Sequence, residues 1–165
     1  MIEDLQVVKV GMADLNVVQG SGIIRTTGLG SCVGLTLYDP AAHIVGMAHV
    51  MLPSSETARE GQLNLMKYAD TAIPMLLEKI DRLGGIRRRL VAKMAGGAQM
   101  FAFNSMSDTM RIGPRNVENC KEMLKQFSIP LLAEDTGGNY GRTVEMNCQT
   151  GILHIRSVQI GVKEI

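Results

Sequence analysis

The residues with the clearest chemical potential in this sequence are a cysteine and a histidine in its first third. Cys32 directly follows the glycine-rich segment 28–31, and His49 lies a short distance further along the chain. A cysteine attacks as the thiolate, so it needs a base or a positive charge nearby, and an imidazole can be that base. A glycine-rich turn can hold backbone amides beside a carbonyl oxygen that becomes negative. The residue types therefore predict Cys32 as a nucleophile and His49 as its general base.

Two threonines before the cysteine are candidates for holding the imidazole in one tautomer, as a third group usually does at such sites. Thr26 and Thr27 are adjacent, and either hydroxyl could serve. Because successive side chains of a strand point to opposite faces, only one of them can do so. The competing interpretation makes Cys32 a small buried hydrophobe and His49 a satisfied core histidine. The residue types alone leave both interpretations open.

Two other patterns around the cysteine lack the context they require. Gly30-Ser31-Cys32-Val33-Gly34 has the form of a nucleophile elbow with cysteine in place of serine, but an elbow is followed by a helix. The segment 35–40 that follows here is β-prone and ends in proline. Gly28-Leu29-Gly30 begins a dinucleotide-binding fingerprint, whose third glycine would fall on Val33. Neither pattern is retained.

The spacing of apolar residues predicts two helices between groups of strands. One helix covers residues 69–83 and stops at Gly84-Gly85, with Pro74 either in its first turn or at a kink. The second carries Val117, Cys120, Met123, Leu124 and Phe127 on one face. Strands are predicted at residues 5–10, 12–18, 23–24, 33–38, 44–52, 90–95 and 129–133, and a hairpin at 142–148 and 152–156 around Gln149-Thr150-Gly151. Arg87-Arg88-Arg89 and the polar segment 54–62 are predicted loops, the second able to border a site.

These elements favour an α+β fold. Strict alternation of strands and helices is absent, which counts against a doubly wound parallel sheet. We expect a sandwich in which two main helices pack against mixed, largely antiparallel strands. With 165 residues, 45% of them hydrophobic, residues 1–165 suit one compact domain.

The net charge and the lack of long apolar segments bear on which partners and which part of the cell we expect for the protein. A formal net charge of +1 provides no basic surface for nucleic acid or an anionic membrane. The chain starts without a basic segment leading into an apolar run, and no apolar stretch approaches the roughly 20 residues that cross a bilayer. We expect a cytoplasmic protein that neither binds nucleic acid nor inserts into a membrane.

The three cysteines indicate neither a disulfide framework nor a metal centre. Their number is odd and their spacing is irregular. Cys120 on a helix face and Cys148 in the hairpin are expected to pack in the core, and His43 and His154 to have no chemical role. A zinc site would need closely spaced pairs of ligands such as Cys-x-x-Cys, and the sequence has none.

Six segments resemble, in order, those of the chemoreceptor glutamine deamidase family, CheD. They are Thr27-Gly28-Leu29-Gly30-Ser31-Cys32-Val33, Met47-Ala48-His49-Val50-Met51-Leu52-Pro53, Tyr68-Ala69-Asp70-Thr71-Ala72, Ala95-Gly96-Gly97-Ala98-Gln99-Met100-Phe101, Ile112-Gly113-Pro114-Arg115-Asn116 and Glu134-Asp135-Thr136-Gly137-Gly138-Asn139. Together they extend over most of the chain. The sequence is therefore identified as similar to this family on several motifs and not on one.

The resemblance implies hydrolysis of particular glutamine side chains of methyl-accepting chemotaxis receptors to glutamate, without metal or organic cofactor. Cys32, His49 and Thr26 fall on the family's nucleophile, base and threonine positions, and Thr27 stands where the family usually has leucine. The resemblance also implies a fold similar to the catalytic domain of a glutamine-deamidating toxin. The implied partner is a CheC-type phosphatase of the response regulator. The alternative function is a non-catalytic adaptor that binds receptor helices and CheC.

Overall fold

The computed structural model describes residues 6–51, 67–100 and 111–165, so the predicted loop 54–62 lies outside the described residues. Within these ranges the chain forms ten strands and two α-helices. The strands are β1 (Gln6–Val10), β2 (Leu15–Gln19), β3 (Gly22–Leu29), β4 (Val33–Asp39), β5 (Ile44–Val50), β6 (Val91–Gly96), β7 (Leu131–Thr136), β8 (Arg142–Asn147), β9 (Leu153–Ser157) and β10 (Gly161–Glu164). The helices are α1 (Ala69–Arg82) and α2 (Ile112–Gln126).

The strands form two five-stranded sheets. The central sheet has the order β2-β5-β4-β6-β7, and the outer sheet has the order β1-β3-β8-β9-β10. Pairing is antiparallel except between β1 and β3 and between β6 and β7. Both helices pack on the face of the central sheet opposite the outer sheet. The predicted α+β sandwich with mixed, largely antiparallel sheets and two main helices is confirmed.

Two hydrophobic cores lie on the two faces of the central sheet. The helix-side core takes Ile44, Ala48 and Val50 from β5, together with Leu76 of α1. The core between the sheets takes Val45 and Met47 from the same strand. Because both faces of β4 and β5 are covered, every residue in these two strands is buried. The alternation along β5 directs the side chain of His49 into the space between the sheets.

Several boundaries differ from those that the sequence pattern predicts. Strand β3 is much longer than the predicted segment 23–24 and carries both threonines. Helix α2 begins at Ile112, well before its apolar face becomes evident, and Pro74 lies in the second turn of α1 and not the first. Strand β10 is not predicted at all, because all of its residues are exposed and show no apolar alternation. Neither helix in the described ranges is long and apolar enough to cross a membrane.

The arginine run is only partly the solvated loop that its charge suggests. It forms a short 3-10 helix, Arg87–Arg89, whose first two residues are exposed. Arg89, however, donates to the carboxylate of Asp39, which is fully buried at the end of β4, with an Nη2–Oδ2 distance of 2.8 Å. The amide of Ile86 donates to the same carboxylate. A buried carboxylate needs such partners, so Arg89 is a structural residue here.

Candidate active site

Cys32 and His49 lie at one end of the central sheet, next to each other across its neighbouring strands β4 and β5. Cys32 directly precedes β4, and the antiparallel register pairs Gly34 with His49 and Val33 with Val50. Cys32 and His49 are therefore diagonal neighbours on one face of the pair, a relation that separates Cα atoms by about 7–8 Å and lets larger side chains meet. Cys32 belongs to the core between the sheets, which is the side that His49 faces. The predicted placement on neighbouring extended segments is confirmed.

Thr26 reaches His49 from the outer sheet. Its Oγ1 lies 2.7 Å from Nδ1 of His49, and it is 2.7 Å from the carbonyl oxygen of Val10, to which it donates. A hydroxyl has a single hydrogen, so Oγ1 must accept the bond from Nδ1–H of the imidazole. This arrangement protonates Nδ1 and leaves the lone pair of the neutral ring on Nε2.

Thr27 does not contribute to this contact. It is exposed on the outer face of the outer sheet, where it lines a shallow depression with Arg25, Glu145 and Arg156. Strand alternation thus separates the two hydroxyls, and only Thr26, which is 1% exposed, points inward. The choice that the residue types left open is decided by which face of β3 meets the central sheet.

The second ring nitrogen of His49, Nε2, is placed so that it can accept a proton. Nε2 is buried and has no hydrogen-bond partner among the described residues. The ring as a whole is fully buried, and this burial lowers the pKa of His49 below its usual value, because removal from water penalises the imidazolium. At neutral pH the ring is therefore uncharged, and its unpaired lone pair can act as a base.

The thiol of Cys32 is also uncharged at rest. Burial raises the pKa of Cys32, and a hydrogen bond from its own backbone amide opposes this effect in part. The side chain retains 8% exposure, whereas Cys120 and Cys148 have none. Since both shifts disfavour charge, a thiol and a neutral imidazole are favoured over a thiolate and an imidazolium. A sulfur that attacked a substrate from this state would have to lose its proton in the same step.

The backbone around Cys32 is held by the segment that follows β6. The amide of Gly97 donates to the carbonyl of Cys32 at 2.8 Å, and the amide of Ala98 donates to the carbonyl of Gly30 at 2.9 Å. A Cβ atom at Gly96 would lie only 2.2 Å from the carbonyl oxygen of Cys32, so no larger residue fits. These bonds use the carbonyls of the turn, and the hydrogen bond from the Cys32 amide to its own sulfur lowers the pKa of Cys32. A backbone donor beside the sulfur can stabilise an oxyanion.

Two buried polar residues that the sequence pattern did not single out also support this turn. Asn116 of α2 donates through Nδ2 to the carbonyl of Ser31 at 2.9 Å. Arg142 of β8 donates to the carbonyl of Gly96 at 3.4 Å and is held by the carboxylate of Asp135. The sequence signals for Asn116 are its place in the family segment 112–116 and the presence of a polar residue at a position of α2 that should face the core.

The remaining cysteines and histidines lie elsewhere. Cys120 is in the helix-side core, where complete burial raises its pKa to about 12, as its predicted packing role requires. Cys148 follows β8 and its sulfur contacts the carbonyl of Gly20. His43 contacts the backbone of Cys148, and His154 pairs with Glu164 on the outer sheet. None of these four residues lies in the candidate site with Cys32 and His49.

Comparison with known proteins identifies the family. The family model described as CheD chemotactic sensory transduction matches residues 51–157. A Halalkalibacterium halodurans protein named chemoreceptor glutamine deamidase CheD is 58% identical over 159 residues, which cover 96% of this chain and 98% of that relative.

The chain belongs to the CheD family.

Other CheD proteins match it over nearly their whole length as well. The Bacillus subtilis chemoreceptor glutamine deamidase CheD is 48% identical over 96% of each chain. A probable chemoreceptor glutamine deamidase CheD of Geobacillus kaustophilus is 52% identical over 97% of this chain and 98% of its own. The family model begins after His49, but these relatives extend over the amino-terminal strands too. The CheD assignment therefore concerns the whole sandwich and not its second half alone.

Proposed function

We propose that this CheD-family chain hydrolyses glutamine side chains of chemoreceptors to glutamate, with Cys32 as nucleophile, His49 as general base and Thr26 as the residue that holds His49. The names of its relatives supply the substrate class. The observation that carries the chemistry is the hydrogen bond between Thr26 and Nδ1 of His49, whose direction is set by the carbonyl of Val10. This bond leaves the basic nitrogen on the ring edge away from Thr26 and free of other partners among the described residues.

In the first step, Nε2 of His49 takes the thiol proton as Sγ of Cys32 attacks the carboxamide carbon of the substrate. A carbon–sulfur bond forms, and the electron pair of the carbonyl bond moves to oxygen. The Cys32 amide donates to this oxyanion, assisted by the turn that Gly97 and Ala98 hold in place. Thr26 keeps the ring oriented while it becomes an imidazolium.

In the second step, the imidazolium returns its proton to the amide nitrogen, the carbon–nitrogen bond breaks and ammonia leaves. The resulting thioester joins Cys32 to the former glutamine.

In the third step, His49 takes a proton from water, whose oxygen attacks the thioester carbon. The carbon–sulfur bond of this intermediate then breaks, and His49 returns the proton to Sγ, which restores the thiol. One water is consumed, and one ammonia and one glutamate side chain are produced for each glutamine.

A threonine in place of a carboxylate has a consequence for the energetics. A hydroxyl orients the imidazole through one hydrogen bond but adds no negative charge to stabilise the imidazolium. The ring is thus a weak base in a buried position, which matches the lowered pKa of His49. Such a site favours a neutral pair that exchanges its proton only when substrate is present.

A CheC-type phosphatase is the proposed regulatory partner. This proposal is supported by the likeness of the sequence motifs to CheD and by membership of the family. Because the substrate glutamine belongs to a protein, a partner that covers the same end of the sandwich would compete with it. Addition of CheC to a deamidation reaction is therefore expected to slow it, and an increase in substrate concentration is expected to restore the rate.

The function is tested by incubation of the protein with cytoplasmic fragments of chemoreceptors, followed by mass spectrometry of receptor peptides. Conversion of glutamine to glutamate is expected with the wild type and not with Cys32→Ala. Cys120→Ala is the matched control, because it removes a buried thiol that lies outside the site. Tight binding of the wild type without any conversion would establish the adaptor function instead. Full activity of Cys32→Ala would show that another nucleophile acts.

A further inference from the structure

Asn116 connects the two strands that carry Cys32 and His49. Its Nδ2 donates to the carbonyl of Ser31 at 2.9 Å and to the carbonyl of Met51 at 3.2 Å. Ser31 directly precedes the nucleophile, and Met51 follows His49 by two residues. The side chain is 0% exposed, so these contacts are made away from water. One amide group therefore joins the backbones on both sides of the site.

The contact lies where the sheet itself no longer holds the strands together. The ladder between β4 and β5 ends at the pair Val33 and Val50. Ser31 and Met51 lie beyond this pair, so backbone pairing does not determine their separation. An amide nitrogen has two hydrogens, and each of them is directed at one of the two carbonyls. Asn116 thus continues the connection between the strands past the last pair.

The other end of the same side chain argues against a role in stability alone. Oδ1 of Asn116 is buried and has no hydrogen-bond partner among the described residues. An unsatisfied buried oxygen is costly, and such groups in native proteins usually have another reason to be present. The two carbonyl partners fix the orientation of the amide, since only the nitrogen end can donate to two carbonyl oxygens. The arrangement keeps two strand ends in place, while Oδ1 has no partner in the part of the chain that the structure describes.

We propose that Asn116 is a positioning residue that sets the separation between Sγ of Cys32 and Nε2 of His49. The inference rests on the proposed roles of Cys32 and His49 as nucleophile and base. Asn116 acts through the backbone and does not touch substrate in this account. Proton transfer between sulfur and nitrogen is sensitive to their distance, and a shift of about 1 Å can cost on the order of 100-fold in rate. Loss of the Nδ2 donor is thus expected to lower the reaction rate more than the stability of the fold.

The test replaces Asn116 by leucine, which is similar in shape and has no donor. We expect kcat for receptor deamidation to fall by about 10–100-fold while KM changes by less than about threefold, because substrate binding does not depend on the sulfur–nitrogen distance. The variant Cys120→Ala supplies the control for helix packing, since Cys120 lies fully buried on the same helix and outside the site. Cys120→Ala is expected to have a lower melting temperature than the wild type and an unchanged kcat.

Three results would overturn the proposal. The first is a kcat of Asn116→Leu within about twofold of the wild type, since positioning effects are far larger. The second is an equal loss of kcat in Cys120→Ala, which would assign the effect to helix packing. The third is a change confined to KM. If Cys32→Ala retains full activity, the proposed role of Cys32 as nucleophile has failed, and this result is distinguishable because it does not involve Asn116.

A second variant keeps the test decisive if Asn116→Leu does not fold. In Asn116→Asp the introduced carboxyl can donate one hydrogen bond when protonated and none when ionised. The ratio of its kcat to that of the wild type is therefore expected to decline as pH rises through the pKa of that carboxyl. A ratio that stays constant over this range contradicts a positioning role. Failure of both variants to fold would show that Asn116 is required for structure and would also contradict it.

Discussion

The hydroxyl of Thr26 and the imidazole of His49 lie 2.7 Å apart although they belong to different sheets. The contact therefore depends on how the outer sheet packs on the central one. The same hydroxyl donates to the carbonyl of Val10, which leaves it only its lone pairs to offer to the imidazole. The Thr26 side chain therefore both contacts the other sheet and determines the tautomer of the proposed base.

Removal of the Thr26 hydroxyl is the first test of this relationship. Thr26→Val keeps the shape, and kcat is expected to fall about 10–100-fold, part of the roughly 100- to 10,000-fold that a general base contributes. Thr26→Ser should retain most of the activity, and Thr27→Val on the exposed face should retain all of it. Nitrogen NMR of the His49 ring would show loss of the single tautomer in Thr26→Val. Unchanged kcat in that variant would contradict the assigned role.

The pH dependence of the reaction follows from the lowered pKa of His49. The proposed base acts in its neutral form. The acidic decline of kcat/KM is therefore expected to be centred below about 6.5, the usual pKa of histidine. A pH–rate profile for receptor deamidation measures this limb. An acidic limb centred well above that value would show that a group other than a buried neutral imidazole controls the rate.

The same shift predicts a change in stability with pH. Because the pKa of His49 is lower in the folded protein, the unfolded chain takes up a proton first as pH falls. The contribution of His49 to the free energy of unfolding is thus fully present above about 6.5 and is lost as pH falls through the folded value. Urea unfolding of the wild type and of His49→Gln at several pH values isolates this contribution. Parallel curves for the two proteins would contradict it.

Alkylation separates the three thiols. Cys32 retains 8% exposure, whereas Cys120 and Cys148 have none, and burial raises the pKa of Cys120 to about 12. Iodoacetamide is therefore expected to modify Cys32 first, at a rate that rises with pH because the pKa of Cys32 is itself raised. Peptide mapping after short exposure measures the order. Equal and slow modification of all three cysteines would argue against a reactive thiol.

Gly96 gives a test of the backbone around Cys32, the proposed nucleophile. It has a φ of +110°, and an added Cβ would lie 2.2 Å from the carbonyl oxygen of Cys32. Gly96→Ala should therefore lower both stability and activity. Gly84→Ala is the matched control, since Gly84 has a φ of +92° but open space around its Cα. The control is expected to cost about 1–2 kcal/mol in the free energy of unfolding, from the unfavourable φ alone, and to keep full activity below its melting transition.

Much of the fold follows from local patterns in the chain. Both helices and the late hairpin are evident from apolar spacing, because each buries a periodic set of side chains. The strands β4 and β5 are evident as short apolar runs, because both of their faces are covered. Strand β10 is not, because its residues are all exposed and leave no periodic signal. The beginning of α2 is also hidden, since Gly113 and Pro114 are residues that local propensity does not associate with a helix.

The sequence by itself determined which residues are available for chemistry, since the types and order of Cys32, His49 and the threonines are local facts, as are the family motifs around them. The family resemblance favoured Thr26 over Thr27, and the tertiary structure shows that Thr26 meets the imidazole. Only the tertiary structure decided that Nε2 carries the lone pair and that Asn116 joins the two strand ends. The physical reason is that these contacts join residues far apart in the chain. Their formation depends on sheet register and on the packing of one sheet against the other, which no local pattern encodes.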